Sequence, residues 1–408
     1  MALCILNVLG AIVYIVIFLN LKITVSNEIA FSTPDALTYM NVMNWVAHGV
    51  DSESVSIRPI LFPLMLLVSI RLGGVYGIWI IQVIFWFLTI NFTFLSVRRL
   101  TKSYLLAYLG AFLILSNLSL IALTLHALTE VTITFLISAM IFFLIKKKEE
   151  YNEPHFFHTV LFFLVLLSIV KPVFFIPVLF ILFVVFPLLY LKKYLKHPLS
   201  FLKLLLILVP LLIQITIIKV KYDQTKISLI GSKTFSEYFV AQGIQKIELV
   251  NYDDAVIKAT RFSKSQQMDY VFKHKSTYLR LFGRNIYENI TEKSTFLLFP
   301  EGYDNYQFAN FMKIYNKIIF KIHFVFTILI LPLLFVLLKK RNFPILILIS
   351  FLFVLEAYYI IVTGISFSQG DRLTLPAIAI WACIYPFILF FYYKLLCPRS
   401  SDYVKKAI

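Results

Sequence analysis

The chain has 408 residues, 60% of them hydrophobic and only 14% charged, and because a water-soluble domain carries roughly 25% charged residues this composition excludes a soluble protein. The apolar content also excludes a disordered chain, and the three cysteines, Cys4, Cys383 and Cys397, are too few for a disulfide-stapled secreted domain. A formal net charge of +17 fits the cytoplasmic loops and lipid-headgroup contacts of a multi-pass membrane protein, with membrane lipids and no nucleic acid among the expected partners.

Crossing about 30 Å of hydrocarbon takes about 20 apolar residues, and runs of this kind predict about ten transmembrane helices, at 2–20, 75–97, 104–125, 131–145, 156–170, 172–191, 204–218, 318–338, 343–363 and 373–396. The expected fold is therefore an all-α polytopic membrane protein. Its first span lacks a basic leader and a small-residue cleavage site, so it reads as a retained anchor rather than a removed signal. The segment 58–72, with Pro59 and Pro63, is too short and broken to cross and reads as re-entrant or interfacial. Lys171-Pro172 interrupts an apolar stretch whose length as one helix, roughly 54 Å, exceeds the bilayer core, so the chain is expected to turn there as a hairpin.

With that count, the basic clusters Arg98-Arg99-Lys102, Lys146-Lys147-Lys148, Lys192-Lys193-Lys196, Lys339-Lys340-Arg341 and the tail residues Lys394, Arg399, Lys405 and Lys406 fall on one side. The positive-inside rule makes that side the cytoplasm, with both termini in it. Three regions follow: N-terminal transmembrane helices in 1–218 with a first outward loop at 21–57, an extracytoplasmic cap at 219–317, and C-terminal helices with a cytoplasmic tail in 318–408. The cap is expected to hold helices near 236–245, 252–272, 276–289 and 304–315, and it lacks the strand, glycine loop and helix of a nucleotide site.

Chemistry-bearing residues collect at the outward mouths. In the first loop Ser32 or Thr33 can cap a helix that has Pro34 at its first position and Asp35 in its first turn; Asp35 could be catalytic, or could simply favour the helix dipole. Glu130 follows His126 at the mouth of the fourth span, where it is either a site carboxylate or an ordinary interfacial one. Arg58, Lys171 and Arg372 supply cations at three further mouths; singly each could snorkel to lipid phosphate, but together they suit an anionic headgroup. Glu356, at membrane depth, must face protein or water and reads as a structural hydrogen-bonding group. His126 has no partner at ligand spacing, so no metal site is expected.

The strings Pro34-Asp35-Ala36-Leu37-Thr38-Tyr39, Ala47-His48-Gly49 and Arg58-Pro59-Ile60-Leu61-Phe62-Pro63-Leu64, followed by Ala127-Leu128-Thr129-Glu130, Lys171-Pro172 and Gly370-Asp371-Arg372-Leu373-Thr374-Leu375-Pro376, resemble the family 39 glycosyltransferases. These are membrane enzymes of the glycosyltransferase-C fold, related to protein O-mannosyltransferases and lipid A aminoarabinose transferases. Two positions depart from the family pattern: Ala36 stands where many members pair Asp with Glu, and Lys171 where Arg is common. The resemblance implies a polyprenyl-phosphate-linked sugar donor, a lipid, glycan or protein acceptor, and no cofactor. It implies Asp35 as general base, Arg58, Lys171 and Arg372 on the donor phosphate, and Tyr39, Glu130, His126 and Asp371 orienting substrate, at the outer face of a bacterial inner membrane. A lipid-linked sugar flippase, a polysaccharide polymerase or ligase, and a non-catalytic assembly subunit are the competing expectations.

Overall fold

The computed structural model describes residues 1–20, 24–196, 198–291, 306–367 and 369–397, and among them there are helices and turns but no strand. After the apolar α1 (Ala2–Asn20) come the short α2 (Asn27–Ala30) and α3 (Pro34–His48). α3 starts because Thr33 Oγ1 accepts the N–H of Ala36 at 3.1 Å and Pro34 fills the first position; it stops at Gly49, whose φ of 69° is left-handed. α4 (Ser54–Ile57) leads into α5 (Leu61–Thr101), which bends sharply at Gly73 and Gly74. Its two arms fold back so closely that a Cβ on Gly77 would lie 2.0 Å from the carbonyl oxygen of Ser69.

The predicted span 104–125 is divided into α6 (Tyr104–Leu115) and α7 (Leu118–Leu123). Asn117 causes the break: its side-chain oxygen accepts the N–H of Leu120 at 2.8 Å and starts a new helix. α8 (Glu130–Lys146) and α9 (Pro154–Val170) follow, each of 17 residues. At Lys171 the backbone is extended, as a residue before proline prefers, and the chain turns. Beyond the turn, α10 (Phe175–Phe180), a π-helical stretch Ile181–Tyr190 holding Pro187, and α11 (Leu191–Lys196) run back along α9. Phe157, near the start of α9, therefore meets Tyr190 at 4.8 Å and Tyr194 at 6.0 Å between ring centres. α12 (Pro198–Tyr222) completes this half.

The polar region that follows is helical. α13 (Ile230–Lys233), a π-helical turn Thr234–Val240 and α14 (Ala241–Glu248) pack on α15 (Tyr252–Arg261), enclosing Val240, Ala241, Ile244, Ala255 and Ala259. α15 ends at Phe262, so the expected single helix over 252–272 is two: a capping box of Ser263 and Gln266 opens α16 (Lys264–Lys273). α17 (Lys275–Thr291) lies over them. Gly243 gives Tyr278 its place there, since a Cβ would come within 2.1 Å of the tyrosine ring. α18 (Tyr306–Lys339) joins the expected helix 304–315 to the span after it as one helix, residues 304 and 305 lying outside the described residues. α19 (Phe343–Val362) and α20 (Ile378–Leu396) close the chain.

Among the described residues seven helices are long and apolar enough to cross a membrane, fewer than the ten or so expected. The three predicted spans that drop out are 104–125, broken at Asn117, and 131–145 and 156–170, whose helices at 17 residues are about 26 Å long. α8 is buried on nearly every side, and α20 is the most enclosed of the long apolar helices. α6 approaches α20 backbone to backbone, with a Cβ on Gly110 only 2.5 Å from the carbonyl of Ala382, the small-residue contact through which apolar helices pack closely. This is an all-α membrane protein. The basic residues at the ends of α8, α11 and α20 follow helical segments whose starts lie at Glu130, just after Lys171 and just after Arg372; the tail residues Arg399, Lys405 and Lys406 lie outside the described residues.

Candidate functional site

At one end of the bundle, side chains from five separated parts of the sequence converge. Asp35 sits in the first turn of α3, where Thr33 already caps the helix, so its carboxylate is free to leave the helix end. One of its oxygens pairs with Arg58, just after α4, and the other with Arg372, in the 3-10 turn before α20. Arg372 also donates through Nε to Glu130 Oε1 at 3.0 Å. Lys171 reaches the same Glu130 oxygen at 3.4 Å and the hydroxyl of Tyr359 at 3.5 Å.

Burial sets the electrostatics. The side chains of Glu130, Arg372 and Arg58 are 1%, 8% and 13% exposed, while Asp35 is 31% exposed, so Asp35 is the most open side chain of the cluster. Ions this buried are tolerated only when paired. Burial by itself would raise the Asp35 carboxyl, but the guanidinium groups of Arg372 and Arg58, with Lys171, overcome it and hold this group well below the usual carboxylate range. Asp35 is thus ionised at neutral pH, which gives a signed expectation. A depressed native value stabilises the fold fully above the unfolded carboxylate value near pH 4 and less as the pH falls through the native one. Thermal unfolding of the wild type is expected to lose stability between about pH 4 and pH 2 more steeply than Asp35→Asn; parallel curves would show that the pairing does not couple to folding.

The other expected residues fall as follows. Tyr39 is buried with its ring 4.7 Å below the Arg58 guanidinium and edge-on to Phe62. His126 is fully buried and meets Ser32 at 3.4 Å, tying down the turn before α3. The side chain of Asp371 lies outside the described residues. Glu356 is buried within the bundle, 3.3 Å from His323 of α18. Among the described residues no three of His, Cys, Asp and Glu gather as metal ligands.

Sequence reasoning missed several participants. Thr38 accepts from Arg58 Nε at 2.8 Å and donates to the backbone oxygen of Asp35 at 2.7 Å, holding Asp35 and Arg58 in register. Tyr238 of the cap feels the charges of Asp35, Arg58 and Arg372, and burial followed by Asp35 pushes its hydroxyl up. Most unexpected is the bolt between the cap and the strand of chain carrying Arg372. Asn285 Nδ2 donates to the carbonyl of Gly364 at 3.0 Å, Asn289 Nδ2 to those of Thr363 at 3.0 Å and Ser366 at 2.8 Å, and Thr374 Oγ1 to that of Asn289 at 2.9 Å. Gly364 fits under Phe282 only without a Cβ, which would sit 2.6 Å from the ring. The one legible signal was the spacing of Asn285 and Asn289, four apart on one face of an amphipathic helix.

Asn289→Leu removes the Asn289 donor from the half-buried carbonyl of Ser366 and one of two donors from that of Thr363, which keeps the N–H of Ser366; a buried carbonyl left unpaired costs about 1–3 kcal/mol. The expected result is a lowered unfolding temperature and cap helices that become accessible to protease; an unchanged digestion pattern would refute the bolt. Comparison of the chain with family models, with curated proteins and with solved structures finds no match.

Proposed function

We propose that this protein is a membrane glycosyltransferase of glycosyltransferase-C type, moving a sugar from a polyprenyl-phosphate donor to an acceptor hydroxyl with inversion. The observation that carries the proposal is the convergence of Asp35, Arg58, Glu130, Lys171 and Arg372, with Asp35 and Arg372 paired across 337 positions of sequence. Among the described residues three cations face two carboxylates, one positive charge more than those carboxylates neutralise. A sugar phosphodiester carries one negative charge and would neutralise it; a diphosphate carries more, which favours this reading over a ligase acting on lipid diphosphates. Concentration of the charges at a helix end, rather than at mid-membrane depth, favours transfer over transport.

In this reading the acceptor oxygen attacks the anomeric carbon, its proton passes to Asp35, and the carbon–oxygen bond to phosphate breaks with its electron pair leaving on phosphate. Arg58, Lys171 and Arg372 stabilise that leaving charge in a poorly hydrated setting. Glu130 has its second carboxylate oxygen buried and without a hydrogen-bond partner among the described residues, and accepts from a substrate hydroxyl. The basic helix ends belong to the cytoplasm and the cluster to the outer face of a bacterial plasma membrane.

The test is mass spectrometry of cell-envelope glycans with and without the gene. Loss of one glycan, restored by the wild type but not by Asp35→Asn, is the expected outcome. An unchanged glycan profile, together with no transfer from polyprenyl-phosphate sugars by the purified protein, would rule the proposal out.

A further inference from the structure

Resting on that reading, the geometry of the cluster points to an ion-pair exchange. We infer that Asp35 and the phosphate of the donor compete for the same guanidinium edges, so that arrival of the phosphate releases Asp35 to act as a base.

The two arginines are built for such an exchange. Each is anchored through Nε by the protein itself, Arg58 to Thr38 Oγ1 at 2.8 Å and Arg372 to Glu130 Oε1 at 3.0 Å. Each turns a terminal nitrogen to a different oxygen of Asp35. A guanidinium has five N–H donors in a fixed fork, so a terminal partner can be exchanged while the Nε anchor stays in place. Exposure gives the direction of approach: the side chains of Arg372 and Arg58 are 8% and 13% exposed against 31% for Asp35, so an anion arriving from outside meets Asp35 first and takes its partners. Phosphate competes well because it accepts two parallel N–H bonds from one guanidinium.

The exchange matters because a carboxylate locked between two cations is a weak proton acceptor, whereas a base works best when its proton affinity suits the operating pH. Before the donor binds, neither water nor acceptor is activated. Afterwards Arg58 and Arg372 serve the leaving group, and among the described residues Asp35 faces Lys171 and the more distant Tyr39, Glu130 and Tyr238 as charged or titratable neighbours. Donor must therefore bind before acceptor is activated, and stray hydrolysis is suppressed while the site is empty.

The test is carbodiimide labelling of Asp35 in the full chain held in nanodiscs, read by peptide mass spectrometry between pH 5 and 8. Carbodiimide reacts with the protonated carboxyl, whose fraction rises tenfold for each unit of upward shift. Polyprenyl phosphate is expected to increase labelling by about tenfold or more, and neutral polyprenol to leave it unchanged. An increase with inorganic phosphate as well would assign the exchange to the phosphate group itself, and an increase with the lipid alone to its anchored headgroup; either supports the inference. Polyprenyl phosphate that raises the unfolding temperature yet leaves Asp35 unlabelled overturns the exchange and spares the proposed function. Polyprenyl phosphate that neither binds nor changes labelling overturns both. Arg58→Gln should label more readily without any lipid; where that variant fails to fold, the wild-type comparison decides.

Discussion

Asp35→Asn is expected to lower the turnover of sugar transfer by about 10²–10⁴-fold, the range ascribed to a positioned general base, while polyprenyl phosphate binds as tightly as in the wild type or more tightly. The two effects have opposite signs because the proposed function gives Asp35 two roles. As proton acceptor it is irreplaceable by an amide. As counter-charge to Arg58 and Arg372 it competes with the substrate, and removing it leaves two buried guanidinium groups more receptive to an anion. The side-chain amide has the shape of the carboxylate and can still accept from one arginine, so the end of the bundle keeps its geometry. The measurement is a kcat and KM split, with donor affinity followed separately by thermal shift. Loss of turnover with a parallel loss of affinity would mark Asp35 as a structural strut, and full turnover would remove it from the chemistry.

The second large effect is expected at Arg372. Its guanidinium bridges the two carboxylates that the described residues bring to the cluster, and both it and Glu130 are almost wholly buried. Arg372→Ala leaves Glu130 with Lys171 alone at 3.4 Å, and breaking one side of a buried ion pair costs about 3–5 kcal/mol. The variant should unfold at distinctly lower temperature and lose donor binding. Arg372→Lys separates the two losses: it restores charge but not the fork, since lysine is a point charge, so stability should return in part while binding of polyprenyl phosphate stays weak. Wild-type donor affinity in Arg372→Lys would show that the forked geometry has no role in holding phosphate.

Much of this was legible in the sequence because its causes are local. Pro34 and Thr33 specify the start of α3 by backbone chemistry alone, and Lys171-Pro172 specifies a turn because the residue before a proline resists the helical region. Asn117 is the instructive failure. Hydropathy over 104–125 is continuous, and a side chain that replaces one backbone acceptor was enough to end a helix within it. The same holds at Ser263, where a capping box divides what periodicity reads as one helix.

The sequence by itself determined that this chain is a helical membrane protein and which of its titratable groups sit next to helix ends, because apolar runs and cap chemistry act within a few residues. It could nominate Asp35, Arg58, Glu130, Lys171 and Arg372, but only tertiary structure decided that they pair with one another, since ion pairing depends on distances across 337 positions that no local pattern encodes. The same is true of Thr38, whose partner lies 20 positions away, and of the Asn285 and Asn289 bolt, whose carbonyl partners are 74 or more positions distant. Buried polar groups must find partners wherever the fold supplies them, and which partners those are is a property of the packed chain.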